Sequence, residues 1–454
     1  MPGHKCRPRA FLFPLLGLLI ARPVPAAGRI IDPGPAVGHA APTPASRDHP
    51  KLDRILRLIE NSNVPDLVGR RRWGELAAAH RPRIEQARTP AEFAAAVNDL
   101  IHAAGISHFH YFTDDDWLYW HLLSAFGGGP DAEIEHVGVV PEQVGGRWFV
   151  RGVLEGSPAS DSPLRVGDEL LAVDDRPFAP IDSFRGRGGT PVRLRLRRKP
   201  WLAYSFYITP VKESLHAAVQ RAIRCSIRVI SQDGYRLAYL HAWSLLGDGG
   251  EYRRLLDMQD RVDGLLLDYR DGVGGRAELA SRFMFGTATP AAPYAAGDFW
   301  RKPAVMLIAD GTRSAKEIVA QRVKRHGRAA LVGTPSMGHV ATLAALRRVG
   351  ADGLLMLPGH RLPQEGRPVE PHIHIHRDIR YAAGVDLQLQ CARELLVELI
   401  NLHRAGAAQP NNAAPPGPSR GPVPAPRDGS APEHVSLTSR VHHRTWSEHR
   451  APAW

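Results

Sequence analysis

The chain has 454 residues, 43% of them hydrophobic and 23% charged, which excludes wholesale disorder and leaves room for about two to four domains. Its three cysteines, Cys6, Cys225 and Cys391, are too few for a disulfide framework and are not spaced as a zinc knuckle. The formal net charge of +12 would suit a nucleic-acid partner, so where that charge sits matters.

Residues 1–27 hold Lys5, Arg7, Arg9 and Arg22 and no acid, with an apolar run over 10–21 and a small-residue exit, Val24-Pro25-Ala26-Ala27. A basic start, a short apolar run and small residues at the end describe a secretory signal peptide, too short for a membrane-spanning helix of about 20 residues. Export to the periplasm or the outside is therefore expected, without stable membrane insertion once the signal is removed. Cys225 and Cys391 would then sit where disulfides form; whether they pair stays open. Residues 28–50, rich in Pro, Ala and Gly, read as a linker.

A helical segment is expected over 51–124. Leu52, Ile55, Leu56 and Ile59 mark one apolar helix face. Thr89-Pro90-Ala91-Glu92 opens a second helix with a cap, a first-position proline and a capping-box Glu. Gly105 ends it, and Ile106-Ser107-His108-Phe109-His110 follows. Over 125–212 short β-rich runs (137–140, 148–153, 169–173, 192–196) alternate with Gly, Pro and Asp turns, the texture of a small β domain. From 213 to 404 the pattern is strand then helix. The runs 265–267 and 305–309 are continuously apolar, as in strands buried on both faces, and 328–332 reads as another. The class is α/β with a mostly parallel sheet. Leu387, Gln390, Cys391, Leu395 and Leu396 suggest a closing helix. Residues 405–454 read as a disordered Pro-rich tail. Arg193, Arg195 and Arg197 alternate with Val192, Leu194 and Leu196, a strand with one wet face, and no reader module is present, so no nucleic-acid partner is expected.

The segment Asp310-Gly311-Thr312-Arg313-Ser314-Ala315-Lys316-Glu317-Ile318 ends a buried strand and starts a helix. Ser-x-x-Glu is a capping box, so Ser314 reads as a cap. The same geometry gives a serine with free backbone N–H groups beside it and a helix dipole aimed at its hydroxyl, a place for an oxyanion. Asp271-Gly272-Val273-Gly274-Gly275 follows a strand of the same sheet, either a tight turn or a second wall of one site. A serine nucleophile needs a base, and His108 and His339 are the candidates weighed. His372, His374 and His376 alternate as on one strand face; without an acid or cysteine partner a solvated face is favoured over a metal site, and no metal or cofactor is expected.

Three blocks together resemble the carboxyl-terminal processing (tail-specific) serine peptidases. Leu265 to Gly275 is similar to their "LDLRDNPGG" block, the run from Gly311 to Ile318 to their nucleophile block with Ser314 on the catalytic serine, and Gly327 to Thr334 to the strand after it. Val137-Gly138-Val139-Val140, Gly156-Ser157-Pro158-Ala159 and the run from Leu164 to Leu170 look like a PDZ domain, which that family commonly carries there. The lysine of the lysine-dependent branch, 25 residues after the serine, is His339 here, so the chain resembles the histidine-dependent, tricorn-core-like branch. The resemblance implies a ClpP/crotonase-like core over 213–404 with an inserted PDZ domain over 125–212. It implies hydrolysis by Ser314 with His108 as base, Ser107 and Glu365 orienting it, and the N–H groups of Ala315 and of Gly274 or Gly275 holding the oxyanion. Unfolded or C-terminally exposed polypeptides would be the substrates, with a peptide C-terminus held at Val137 to Val140. Arg313 and Lys316 replace small or polar residues of the family block. The rival reading is a non-catalytic PDZ-bearing binding protein on the same scaffold.

Overall fold

The computed structural model describes residues 31–32, 49–127, 132–286 and 298–408; the expected signal peptide, most of the expected linker and most of the expected tail lie outside the described residues. The N-terminal part holds helices α1 (Pro50–Glu60), α2 (Val64–Val68), α3 (Arg70–Glu85) and α4 (Pro90–Ala103), strand β2 (His110–Thr113) and helix α5 (Trp117–Ala125), after a two-residue strand β1 (Ile31–Asp32). Leu52, Ile55 and Ile59 are wholly buried, as their spacing requires. Thr89 Oγ1 accepts from Glu92 N–H at 3.1 Å, but the Glu92 carboxylate returns to Arg88 N–H at 2.7 Å, so the box closes one residue early. Asn98 of α4 bonds both the N–H and the C=O of Tyr111, at 2.9 and 2.8 Å, and so locks β2 against this helix.

Next come β3 (Glu133–His136), β4 (Val139–Val144), β5 (Arg147–Val153), β6 (Glu169–Val173), β7 (Arg176–Pro177), β8 (Val192–Lys199), β9 (Leu202–Ile208) and β10 (Val211–Ser214). The antiparallel sheet runs β4-β5-β6-β8-β9, with β7 on β6, while β3 and β10 pair with each other at the junction with the rest of the chain. In β8, Val192, Leu194 and Leu196 are fully buried. Arg193, Arg197 and Arg198 face Asp175, Glu169 and Asp168, so most of the basic run is matched within its own unit.

The remaining elements are α6 (Leu215–Ser226), β11 (Arg228–Gln232), β12 (Tyr235–His241), α7 (Gly250–Met258), β13 (Gly264–Asp268), α8 (Ala277–Phe285), β14 (Ala304–Ile308), α9 (Ala315–Arg325), β15 (Ala330–Gly333), β16 (Leu343–Val349), β17 (Gly353–Pro358), β18 (Ile373–His374) and α10 (Leu387–Ala408). The core sheet runs β11-β12-β13-β14-β15-β18 and is parallel except for the β11–β12 hairpin. Every residue of β13 and β14 is buried because α6 to α9 cover one face and α10 the other. Cys225 on α6 and Cys391 on α10 therefore lie on opposite sides of this sheet, and no disulfide joins them.

Three features depart from the sequence expectations. The hairpin β16–β17 leaves the core sheet and builds a second one, β1-β16-β17-β2, against the N-terminal helices. Ala345, Val349, Leu355 and Leu357 share a core with Leu52, Ile55 and Phe109, so residues 343–358 and 49–113 pack as one unit. Ile31 and Asp32, inside the expected linker, pair with Leu346 and Arg347, and α10 runs past 405. The His372–His376 alternation is not one strand face, because β18 has two residues and His372 Nδ1 accepts from Leu331 N–H at 2.9 Å. Among the described residues no group of three or more His, Cys, Asp or Glu is placed to hold a metal ion, and no helix is long and apolar enough to cross a membrane.

Candidate active site

Ser314 stands where β14 gives way to α9. Thr312, fully buried, clamps the turn: its Oγ1 donates to Tyr269 O and accepts from Ala309 N–H, both at 2.9 Å. A Cβ on Gly311 would lie 2.4 Å from the Arg270 carbonyl, so the turn needs glycine there. Ser314 itself has φ 58° and ψ −131°, a conformation that costs a side-chain-bearing residue about 1–3 kcal/mol and that persists only where the surroundings impose it. Its N–H donates to His339 O at 2.8 Å and to Glu317 Oε2 at 3.1 Å. Glu317 thus performs the backbone half of the capping box and also receives the N–H groups of Gly338 and His339 and the Ser336 hydroxyl. The Ser314 hydroxyl points elsewhere, to His108.

His108 follows the Gly105 stop of α4 with φ 56°, in the left-handed region. Its Nε2 lies 3.0 Å from Ser314 Oγ, and its Nδ1 lies 3.1 Å from Ser107 Oγ. Ser107 Oγ donates to Glu365 Oε2 at 3.0 Å and accepts from Ala341 N–H at 3.2 Å. Glu365 also takes the N–H groups of Ser107 and Val340, each at 2.9 Å. Burial raises the Glu365 pKa, but these hydrogen bonds outweigh it and hold the carboxyl below its ordinary value, hence ionised. A hydroxyl has one proton, and Ser107 gives it to the carboxylate. Ser107 Oγ can then only accept from His108, which fixes the Nδ1–H tautomer and leaves the Nε2 lone pair facing Ser314. Burial, which outweighs the opposing field of Glu365, lowers the His108 pKa to about 4 and keeps the ring neutral at pH 7.

The Asp271–Gly275 turn lies against Ser314. A Cβ on Gly274 would sit 2.5 Å from Ser314 Cβ, 2.8 Å from its Oγ and 3.0 Å from Ala315 N, so glycine brings this backbone to the hydroxyl. The turn is held through Gly274 O and Arg276 N–H, both bonded to Leu245, and through Val273 N–H to Trp243 O. Among the described residues the N–H groups of Ala315, Gly274 and Gly275 have no acceptor. Behind the turn Lys316, fully buried, donates from Nζ to Asp271 O; burial lowers its pKa to about 7. Asp271 takes Arg151 Nε at 2.6 Å and Arg377 at 2.9 Å; burial opposes its charge, but the two guanidinium groups hold it well below the usual carboxylate range.

The fold thus brings Ser314, His108, Ser107, Glu365, Ala315, Gly274 and Gly275 to one place. The exposed His339 ring makes no hydrogen bond to Ser314; only its backbone reaches the site. Val137 and Gly138 have their carbonyls taken by Ala159 and Leu154 N–H, while β4, beginning at Val139 and including Val140, forms one edge of its sheet. Glu317, Thr312, Asp271 and Arg151 were not picked out from the sequence as site residues. For Glu317 the signal was present, in the capping pattern itself; Arg151 stands about 120 residues from its partner Asp271 and gave none.

Residues 236–379 match the sequence model of peptidase family S41. That match spans about a third of the chain. Ser314, Glu365, Gly274 and Gly275 lie within the matched region; Ser107 and His108 lie before it. Tricorn protease homolog 2 of Streptomyces coelicolor is 24% identical over 78% of this chain and 32% of its own length. Carboxyl-terminal-processing peptidase 3, chloroplastic, of Arabidopsis thaliana is 26% identical over 47% of each chain, and carboxy-terminal processing protease CtpB of Bacillus subtilis is 22% identical over 61% of this chain and 62% of its own. The chain therefore spans from about a third to three-fifths of the length of these curated relatives. Among solved structures, the photosystem II D1 C-terminal processing protease aligns with a TM-score of 0.44 at 16% identity, covering 78% of this chain and 98% of its own. The tricorn protease aligns at 0.42 and 17%, covering 72% and 34%.

Proposed function

We propose that this chain is an exported serine endopeptidase that hydrolyses unfolded or C-terminally exposed polypeptides. The observation that carries the reading is the tautomer-fixed imidazole of His108 with its lone pair 3.0 Å from Ser314 Oγ. In the first step Ser314 Oγ bonds the scissile carbonyl carbon while its proton passes to His108 Nε2. The carbonyl oxygen takes up the negative charge among the N–H groups of Ala315 and of Gly274 or Gly275, ready without reorganisation. The imidazolium keeps its Nδ1–H on Ser107, whose hydroxyl transmits the Glu365 charge. His108 then protonates the leaving amine, and water repeats the sequence on the acyl-enzyme.

Around this site we read a ClpP/crotonase-like core carrying an inserted PDZ domain, in which the β4 edge takes a peptide C-terminus as an added strand. No metal or cofactor has a step in this scheme. Ser314→Ala and His108→Ala are each expected to reduce hydrolysis of an unfolded protein by at least about a thousandfold while leaving the folded state intact by circular dichroism. If His339→Ala abolishes activity and His108→Ala does not, the base is misassigned. Failure of Ser314 to react with a fluorophosphonate favours the non-catalytic binding protein.

A further inference from the structure

Arg313 immediately precedes the nucleophile, and the relay makes no use of it. It is half-buried, and burial first, then the charge of Arg151, lowers its proton affinity. Among the described residues the one hydrogen bond of its side chain runs from Nε to Gly311 O at 3.4 Å, and it has no carboxylate hydrogen-bond partner. Its two terminal nitrogens have no acceptor there, yet they are not sealed from solvent.

The acids near it are already engaged. Asp271 is held by Arg151 and Arg377, and Asp310 by Arg151 at 2.6 Å. Glu317 takes three backbone N–H groups and a hydroxyl, and Glu365 belongs to Ser107 and Val340. The other charged or titratable neighbours add no negative charge: His108, His110 and His339 all feel the field of Arg313, and the His102 ring lies tilted beside His110, 5.7 Å between centroids. A guanidinium is a rigid two-toothed donor matched to a carboxylate, and one beside a reactive serine with no internal acid is a place for the anion of something else.

We propose that Arg313 is a specificity residue that binds a carboxylate of the peptide substrate close to the scissile bond, supplied by an acidic side chain or by a free C-terminus. This rests on the peptidase reading. Adjacent Cα atoms are about 3.8 Å apart, so the group bound by Arg313 belongs to a residue within a few positions of the bond cut by Ser314.

The test is a set of fluorogenic peptides that carry Glu or Gln at each position flanking the cleavage point, each made with a free and with an amidated C-terminus. The wild type is expected to prefer one carboxylate source by about ten- to a hundredfold in kcat/KM, the range of a charge-assisted hydrogen bond. A side-chain preference identifies an acidic residue; a preference lost only on amidation identifies the terminus. Arg313→Gln is expected to bring that ratio below about threefold, and Arg313→Lys to retain part of it. Should Arg313→Gln unfold, Arg313→Lys and the binding of paired Glu and Gln peptides to the Ser314→Ala protein still measure the preference. Turnover of all peptides at equal rates, or an undiminished preference in Arg313→Gln, overturns this proposal alone. No turnover of any peptide by the wild type overturns the peptidase reading first.

Discussion

Two histidines of this molecule, the half-buried His108 and the fully buried His121, differ in what surrounds them. His108 has a partner on each ring nitrogen and sits against a strained serine. His121 on α5 is wholly buried, between Trp117 at 5.4 Å and His216 at 5.9 Å, and neither nitrogen has a hydrogen-bond partner beyond a weak approach to the Leu215 backbone. Burial lowers both pKa values, to about 4 for His108 and about 3 for His121. A depressed pKa therefore marks burial in both places and chemistry in neither. What separates them is the chain of single-proton donors running from Glu365 through Ser107, which makes one ring a directed acceptor and leaves the other an unpaired polar group.

The comparison breaks most visibly at Glu365. Glu365→Gln keeps the shape but replaces an acceptor oxygen with an N–H₂ group. In either orientation that group meets a donor, the Ser107 N–H on one side or the Val340 N–H and the Ser107 hydroxyl on the other. Ser107 would then turn its proton toward His108 Nδ1 and favour the wrong tautomer. We expect kcat to fall by about a hundred- to ten-thousandfold, with KM changed little. A loss under tenfold would mean that the carboxylate is not setting the tautomer.

The next effect is on pH. A base must be neutral to work, so activity is expected to hold down to about pH 5 and to fall about tenfold per unit as pH drops through about 4, where His108 becomes charged. A steady-state pH profile of kcat/KM checks this. An acid limb near the ordinary value of 6.5 would mean that the ring is wetter than its surroundings here imply.

The two ends of the relay were not equally legible in the sequence. The Ser314 end is contiguous: an apolar run, a glycine turn and a helix start lie within about ten residues, and local rules read all three. The His108 end depends on contacts 206 and 258 residues apart, which periodicity does not carry; only resemblance of order and type suggested it. The reason for the meeting was hidden altogether. Residues 353–358 are as apolar as a core strand, and nothing in their composition says that they pair with His110–Thr113 rather than with β15. Yet this hairpin docks the N-terminal helices on the core, and it follows directly from the 336–342 segment that borders Ser314. Arg313 and Lys316 were visible as departures from a family pattern, whereas their burial and their partners needed the fold.

The smallest effect tests the other histidine. His121→Leu removes two unpaired polar atoms from a buried site and keeps an apolar side chain of similar bulk, so a gain of about 1 kcal/mol is expected at pH 7.5. The gain should widen on acidification. The folded pKa of His121 lies below its unfolded value of 6.5, so between about pH 6.5 and 3 the unfolded chain binds the extra proton, and the wild type loses stability as pH falls through that window. The variant lacks that loss. Thermal melts at pH 7.5 and 5.5 measure both terms, and peptidase activity measured on the same samples should be unchanged. A variant melting below the wild type at both pH values would mean that the ring is held by its stacking on Trp117 more than it is penalised by its unpaired nitrogens. A loss of activity as large as that of His108→Ala would place His121 in the chemistry after all, and the contrast drawn between the two rings would fail.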